Sequence, residues 1–285
     1  MARVSFVARI RATGLAVAWV ALFVVVWFAV TFAVSRVIVT PVTSRWNMAG
    51  DALCGAVGAL AATWLVGARL NKHTWAQMGW HRERWLRGLA GGVGTGVAMA
   101  VLAIGIAILV NGAAVRVQPE WGQYLAIVAP LALGLVIAAV FEELLFRGYP
   151  LRRLADAIGP WGATAVTALA FSAAHFSNPD VSFLGKVNIL LAGIWLAFAF
   201  FSPGGMAYAW GLHFGWNAGQ ALTFDAPVSG FAFGVPAVDY APGARGWVDG
   251  GSFGPEGGAI GTVVLLAGTL VTIGARLRQP QTWLA

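Results

Sequence analysis

Runs of eighteen or more residues with almost no charge recur along this 285-residue chain, and each is long enough to cross a hydrocarbon core of roughly 30 Å as a helix. By that criterion about eight runs qualify, at 13–35, 50–68, 88–110, 122–146, 161–177, 186–202, 206–223 and 257–275. The composition leaves no room for a water-soluble domain: 59% of the residues are hydrophobic and only 10% are charged, too few to cover a globular surface. The expected architecture is therefore all-α, a polytopic membrane helix bundle of about eight transmembrane helices, with residues 1–285 forming a single integral-membrane domain. The first run is too long for the apolar core of a signal peptide and lacks a small-residue cleavage site, so it reads as an uncleaved anchor.

Orientation follows from lysine and arginine, which stay on the cytoplasmic side. With the N-terminus inside, the inner segments hold thirteen of the eighteen positive charges, from Arg3 to Arg278; the outer ones keep Arg36, Arg45, Arg116, Lys186 and Arg245. The outer segments also collect most loop acids, among them Asp180, Asp225, Asp239, Asp249 and Glu256. Both termini are thus expected in the cytoplasm. The net charge of +7 is accounted for by topology and by contact with anionic headgroups of the lipid bilayer. No nucleic-acid partner is expected, because the basic residues form no recognition pattern. A single cysteine, Cys54, excludes a disulfide framework and a cysteine-based zinc site. The segment NKHTWAQMGWHRERWLRG, with His73 and His81, suits an interfacial stretch whose indoles sit at headgroup level. The Gly- and Pro-rich stretch from Asp225 to Glu256 reads as an irregular outer loop.

Against this apolar background the stretch FEELLFRGYP stands out, since ionisable groups inside spans are costly and mark function by default. On a helix Glu143 and Arg147 form an i,i+4 pair on one face, about 40° apart. Glu142 is about 140° from Arg147, so the arginine does not easily serve both. One carboxylate is explained by pairing. The other is left for proton exchange with a water. Later runs carry further polar groups: Phe171 and His175 in FSAAHFSNP, then His213 and Asn217 on one face of GLHFGWNAGQ, with Gln220 close to that stripe. Together they supply a carboxylate, two imidazoles and a carboxamide, able to activate a water and to donate to a developing oxyanion. No HExxH, GxSxG, P-loop or GxGxxG motif competes.

Glu142-Glu143-x-x-x-Arg147, Phe171-x-x-x-His175 and His213-x-x-x-Asn217 resemble the three ordered motifs of the CAAX-processing endoprotease and bacteriocin-processing (CPBP, or ABI) family of intramembrane proteases. The resemblance covers about residues 122–223, a catalytic core within the larger domain. It implies hydrolysis of a peptide bond in a membrane-associated protein or peptide. By the resemblance Glu142 activates the water with His175 beside it, His213 and Asn217 hold the scissile carbonyl oxygen, and Glu143 with Arg147 supports the first motif.

Two alternatives stay open at this point. Within the enzyme class, Glu142, His175 and His213 could form a Glu/His/His zinc shell, whereas the preferred reading requires no cofactor. Outside it, the same residues could be a binding network in a non-catalytic scaffold, an immunity protein or a transporter. The composition suggests a bacterial inner membrane and does not identify the substrate. One feature sits badly with simple spans: His175 lies about 21 Å along a span beginning at Trp161, whereas Glu142 is only a turn or two from Arg147. A fourth helix prolonged toward Asp156, or a fifth starting deeper after Gly159-Pro160, would bring the two level.

Overall fold

The computed structural model describes residues 6–39, 41, 44, 46–117 and 121–277. Arg3, Arg45 and Arg278, which enter the charge distribution above, lie outside them. Within the described residues the apolar runs become eight long helices: α1 (Phe6–Ser35), α2 (Asn47–Ala62), α3 (Trp85–Asn111), α4 (Tyr124–Phe146), α5 (Tyr149–Ala174), α6 (Phe183–Phe200), α7 (Gly205–Phe224) and, after a helical turn α8 (Gly246–Asp249), α9 (Ala259–Leu277). The chain is a polytopic membrane helix bundle. Five helical segments are long and apolar enough to cross a bilayer on length and composition, and one of them, Tyr124–Ala174, comprises α4 and α5. α7 is not among these five, as its histidine, asparagine and glutamine would suggest. Among the described residues the helices are joined by a two-stranded antiparallel ribbon, β1 (Ala114–Val117) with β2 (Val238–Ala241), in the register Ala114 to Ala241 and Val117 to Val238, and by an isolated bridge between Val228 and Phe231.

The depth mismatch between Glu142 and His175 is resolved in α5. α4 ends at Phe146, and after a turn at Arg147-Gly148, where Gly148 has a non-helical ψ of -114°, helix restarts at Tyr149, runs to Ile158 and breaks at Gly159, whose φ of 79° and ψ of 163° suit a residue without a Cβ. Pro160 opens the second arm, where a missing backbone donor costs little. With the turn at Arg147-Gly148 and the break at Gly159, the second arm brings His175 beside Glu142, Nε2 to Oε2 at 3.8 Å.

α7 is locked to α3 by glycines at four-residue spacing. Gly88, Gly92 and Gly96 of α3 face Gly204, Gly211 and Gly215, so closely that a Cβ at Gly92 or Gly96 would collide with the α7 backbone at Tyr208 or Leu212. A Cβ at Gly211 or Gly215 would in turn meet the carbonyls of Leu89 and Val93. Between lipid-embedded helices, where apolar burial gives no preference for protein over lipid, such small-residue stripes supply attraction through close backbone packing. The face of α7 opposite this seam carries His213 and Asn217 toward α4 and α5.

Candidate active site

Glu143 and Arg147 are wholly buried. Arg147 Nη1 donates to Glu143 Oε1 at 3.0 Å, the i,i+4 pair expected from the helix. Tertiary structure adds a second donor to the same oxygen: His213 Nδ1 lies 2.9 Å from Glu143 Oε1. An ionised carboxylate accepts and never donates, so Nδ1 carries a proton, and Nε2 is then an acceptor in the neutral ring and a donor in the imidazolium. The guanidinium of Arg147 sits over the Phe171 ring, 4.2 Å from its centroid, and reaches the Gly193 carbonyl at 3.4 Å. Glu143 is thus a hinge between α4 and α7 as well as the partner of its own arginine.

His175 is oriented by the same logic on the other side. It stands at the C-cap of α5, and its Nδ1 lies 2.7 Å from the Phe171 carbonyl, an acceptor only, so this ring too carries its proton on Nδ1. Both Nε2 atoms then face Glu142, each 3.8 Å from Oε2. That separation is an ion-pair distance but too long for a direct hydrogen bond. Glu142 Oε2 is buried and accepts no hydrogen bond among the described residues. It is the left-over carboxylate foreseen from the helical angle. Asn217, one turn beyond His213, lines the same cavity, half-buried.

The cavity has a volume of about 410 Å³. Glu142, His175, His213 and Asn217 line it, among aromatic walls from Trp27, Phe141, Phe146, Phe171 and Trp195. The stretch from Asp225 to Glu256 does not simply hang outside the bundle: Val228, Ser229, Phe231 and Phe233 close part of the cavity. Glu256, also on the wall, is a buried carboxylate that sequence reasoning counted only as an outer-loop acid. Asn188 was missed too, although a carboxamide inside the sixth apolar run is the signal that could have found it. Gln220 belongs with this second group, since its Nε2 approaches Glu256 Oε1 at 3.4 Å.

His73 and His81 stay outside the centre. His73 Nε2 pairs with Asp156 at 3.0 Å. His81 is held below the ordinary imidazole range by burial and by the charge of Arg84, which keeps it neutral near pH 7.

As donors for a metal, the Nε2 atoms of His175 and His213 are correctly oriented, each with its Nδ1 held by an oxygen as ligating imidazoles usually are. The set is expanded, because tetrahedral zinc with bonds of ~2.0–2.1 Å separates its ligands by about 3.4 Å. Among the described residues no group of three His, Cys, Asp or Glu side chains is assembled as a ready metal shell.

A membrane helix bundle built around an internal carboxylate, two imidazoles and a carboxamide defines the class: a polytopic membrane protein with a polar chemical centre inside the bundle. Residues 124–219 match the family model described as Rce1-like, type II CAAX prenyl endopeptidase. The match runs from the start of α4 into α7 and contains Glu142, Glu143, Arg147, His175, His213 and Asn217. The region in which the three motifs lie is thus similar to the Rce1-like family model, a likeness found independently of the motifs. No curated protein matches the chain.

Proposed function

We propose that the protein hydrolyses a peptide bond of a membrane-associated protein or peptide, with a water activated by Glu142. The observation that supports this best is the buried Oε2 of Glu142, which accepts no hydrogen bond among the described residues and faces the Nε2 atoms of His175 and His213 at 3.8 Å inside the cavity. Glu143 Oε2 is likewise without a donor among the described residues, but only Glu142 of the two lines the cavity, where a substrate carbonyl and a water can reach it. A general base needs that access.

In this reading a water between Glu142 and His175 gives its proton to Glu142 as its oxygen attacks the scissile carbonyl carbon. The carbonyl π pair moves to oxygen, where Asn217 Nδ2 and His213 stabilise the charge. To donate there His213 carries a second proton on Nε2, and Glu143 at Nδ1 balances the imidazolium. Collapse of the tetrahedral species breaks the C–N bond, and Glu142 returns the proton to the leaving amine. No acyl-enzyme forms. Should zinc be bound, Glu142, His175 and His213 would be its donors, and it would supply Lewis acidity at the same carbonyl. Mass spectrometry of membrane-associated peptides from cells carrying the intact protein or Glu142→Ala tests the proposal: specific fragments should vanish in the variant. Identical peptide profiles would contradict it. Turnover measured after exhaustive chelation separates the two schemes, and the metal-free reading requires that it persist.

A further inference from the structure

A second carboxylate in the cavity, used in no step above, ties the helix that carries the site to the segment that closes the cavity. Glu256 is only 7% exposed. Its Oε1 accepts from Trp216 Nε1 at 2.5 Å and from Gln220 Nε2 at 3.4 Å, both on α7. Its Oε2 accepts from the Ser229 backbone N–H at 2.9 Å and from the Ser229 hydroxyl at 2.6 Å. Two carboxylate oxygens offer about four acceptor positions, so these donors leave no capacity for a substrate group. The role of Glu256 is to hold. On one side it holds Trp216, the residue before Asn217; on the other it holds Ser229, at the head of the wall formed by Phe231 and Phe233. Its own backbone is fixed from a third direction, because Asn188 Nδ2 on α6 donates to the carbonyls of Glu256 and Gly258 at 2.7 and 2.8 Å.

We propose that Glu256 is a positioning residue for the hydrolysis proposed above: it keeps Asn217 in register with Glu142 and pins Ser229–Phe233 as the end wall that limits the size of the substrate residue beside the scissile bond. The inference rests on the protease reading. Replacement by glutamine keeps the volume but offers one acceptor oxygen and an NH₂ group. Whichever way the amide turns, its NH₂ meets either the Trp216 indole N–H or the Ser229 backbone N–H, so one side of the latch opens.

The test uses the full-length protein in proteoliposomes with two readouts. Hydrogen–deuterium exchange across residues 228–233 needs no substrate. Cleavage of a membrane-anchored peptide library, varied from Ala to Trp on either side of the scissile bond, reports specificity. Glu256→Gln should accelerate exchange at Ser229 and lower the preference for small over bulky residues, each roughly tenfold or more, the ratio expected for loss of one charge-assisted hydrogen bond. Ser229→Ala, which keeps the backbone donor and disturbs folding less, should show the same two changes in smaller degree. Unchanged exchange, or activity that falls equally for every library member, would overturn the positioning role and leave the protease reading intact. A folded wild-type protein that cleaves nothing would overturn the protease reading itself, and the specificity role with it.

Discussion

Replacing Glu143 by glutamine isolates the energetics on which the site is built. Glu143 and Arg147 are both 0% exposed and paired at 3.0 Å. Apart from Glu143, the one hydrogen bond of Arg147 among the described residues is to the Gly193 carbonyl, at 3.4 Å; its ring contacts are the faces of Phe171 and Phe146. Glu143→Gln therefore strands a buried guanidinium, a defect that costs about 3–5 kcal/mol when one partner of a buried pair is removed. The glutamine carbonyl still accepts one bond, from Arg147 or from His213, which places the expected loss near the lower end, about 3 kcal/mol. Adding Arg147→Gln removes the stranded charge and should recover most of that loss, because deleting both partners is cheaper than deleting one. Activity should not recover with stability, since His213 Nδ1 has then lost its charged acceptor. The assay is unfolding of full-length single and double variants in detergent micelles, beside peptide cleavage. A Glu143→Gln protein within about 1 kcal/mol of wild type would mean that the pair behaves like an exposed one, and a double variant less stable than the single would refute the reasoning outright.

Asn217→Asp replaces a donor by negative charge where negative charge must develop, so it should reduce turnover at least as much as Asn217→Ala, on the order of 100- to 1,000-fold for loss of one oxyanion donor; near-normal turnover of Asn217→Asp would remove the assignment. Gly96→Leu should destabilise the protein and lower turnover, because any Cβ there collides with α7 next to Leu212 and Trp216, whereas Gly94→Leu, with nothing within 4 Å, should be silent by thermal unfolding. Reporter fusions should place Arg84, Arg153 and the C-terminus in the cytoplasm and the stretch around Asp239 outside; a cytoplasmic Asp239 would reverse the orientation proposed from charge.

The helices were legible because length and apolarity in a bilayer leave few alternatives, and all eight apolar runs overlap observed helices. The Glu143–Arg147 pair was legible because i,i+4 geometry is local. What sequence reasoning could not supply was the second bond of Glu143, to His213 seventy residues away, since no local periodicity encodes which helix faces which. The break at Gly159 was signalled by Gly-Pro, but the separate turn at Arg147-Gly148, which ends α4 and starts α5, was not read from the sequence. The α3–α7 seam had a readable signature, glycines at four-residue spacing in both helices, which passes unnoticed when glycine is read only as a breaker. Glu256 was hidden for a different reason: its neighbours GSFGPEGG show no periodicity, and its burial depends on donors from Trp216 and Ser229.

Steady-state cleavage by purified, reconstituted Glu142→Gln, set beside its thermal stability, decides whether this carboxylate is the base. The amide keeps the size and shape of the side chain but cannot take a proton from water, and general-base assistance contributes ~10²–10⁴-fold. Turnover should fall by at least the lower figure, about 100-fold, with the unfolding temperature unchanged or raised, because a carboxylate oxygen that accepts no hydrogen bond among the described residues has lost its charge. A folded Glu142→Gln protein that cleaves at the wild-type rate would contradict Glu142 as the residue that activates water.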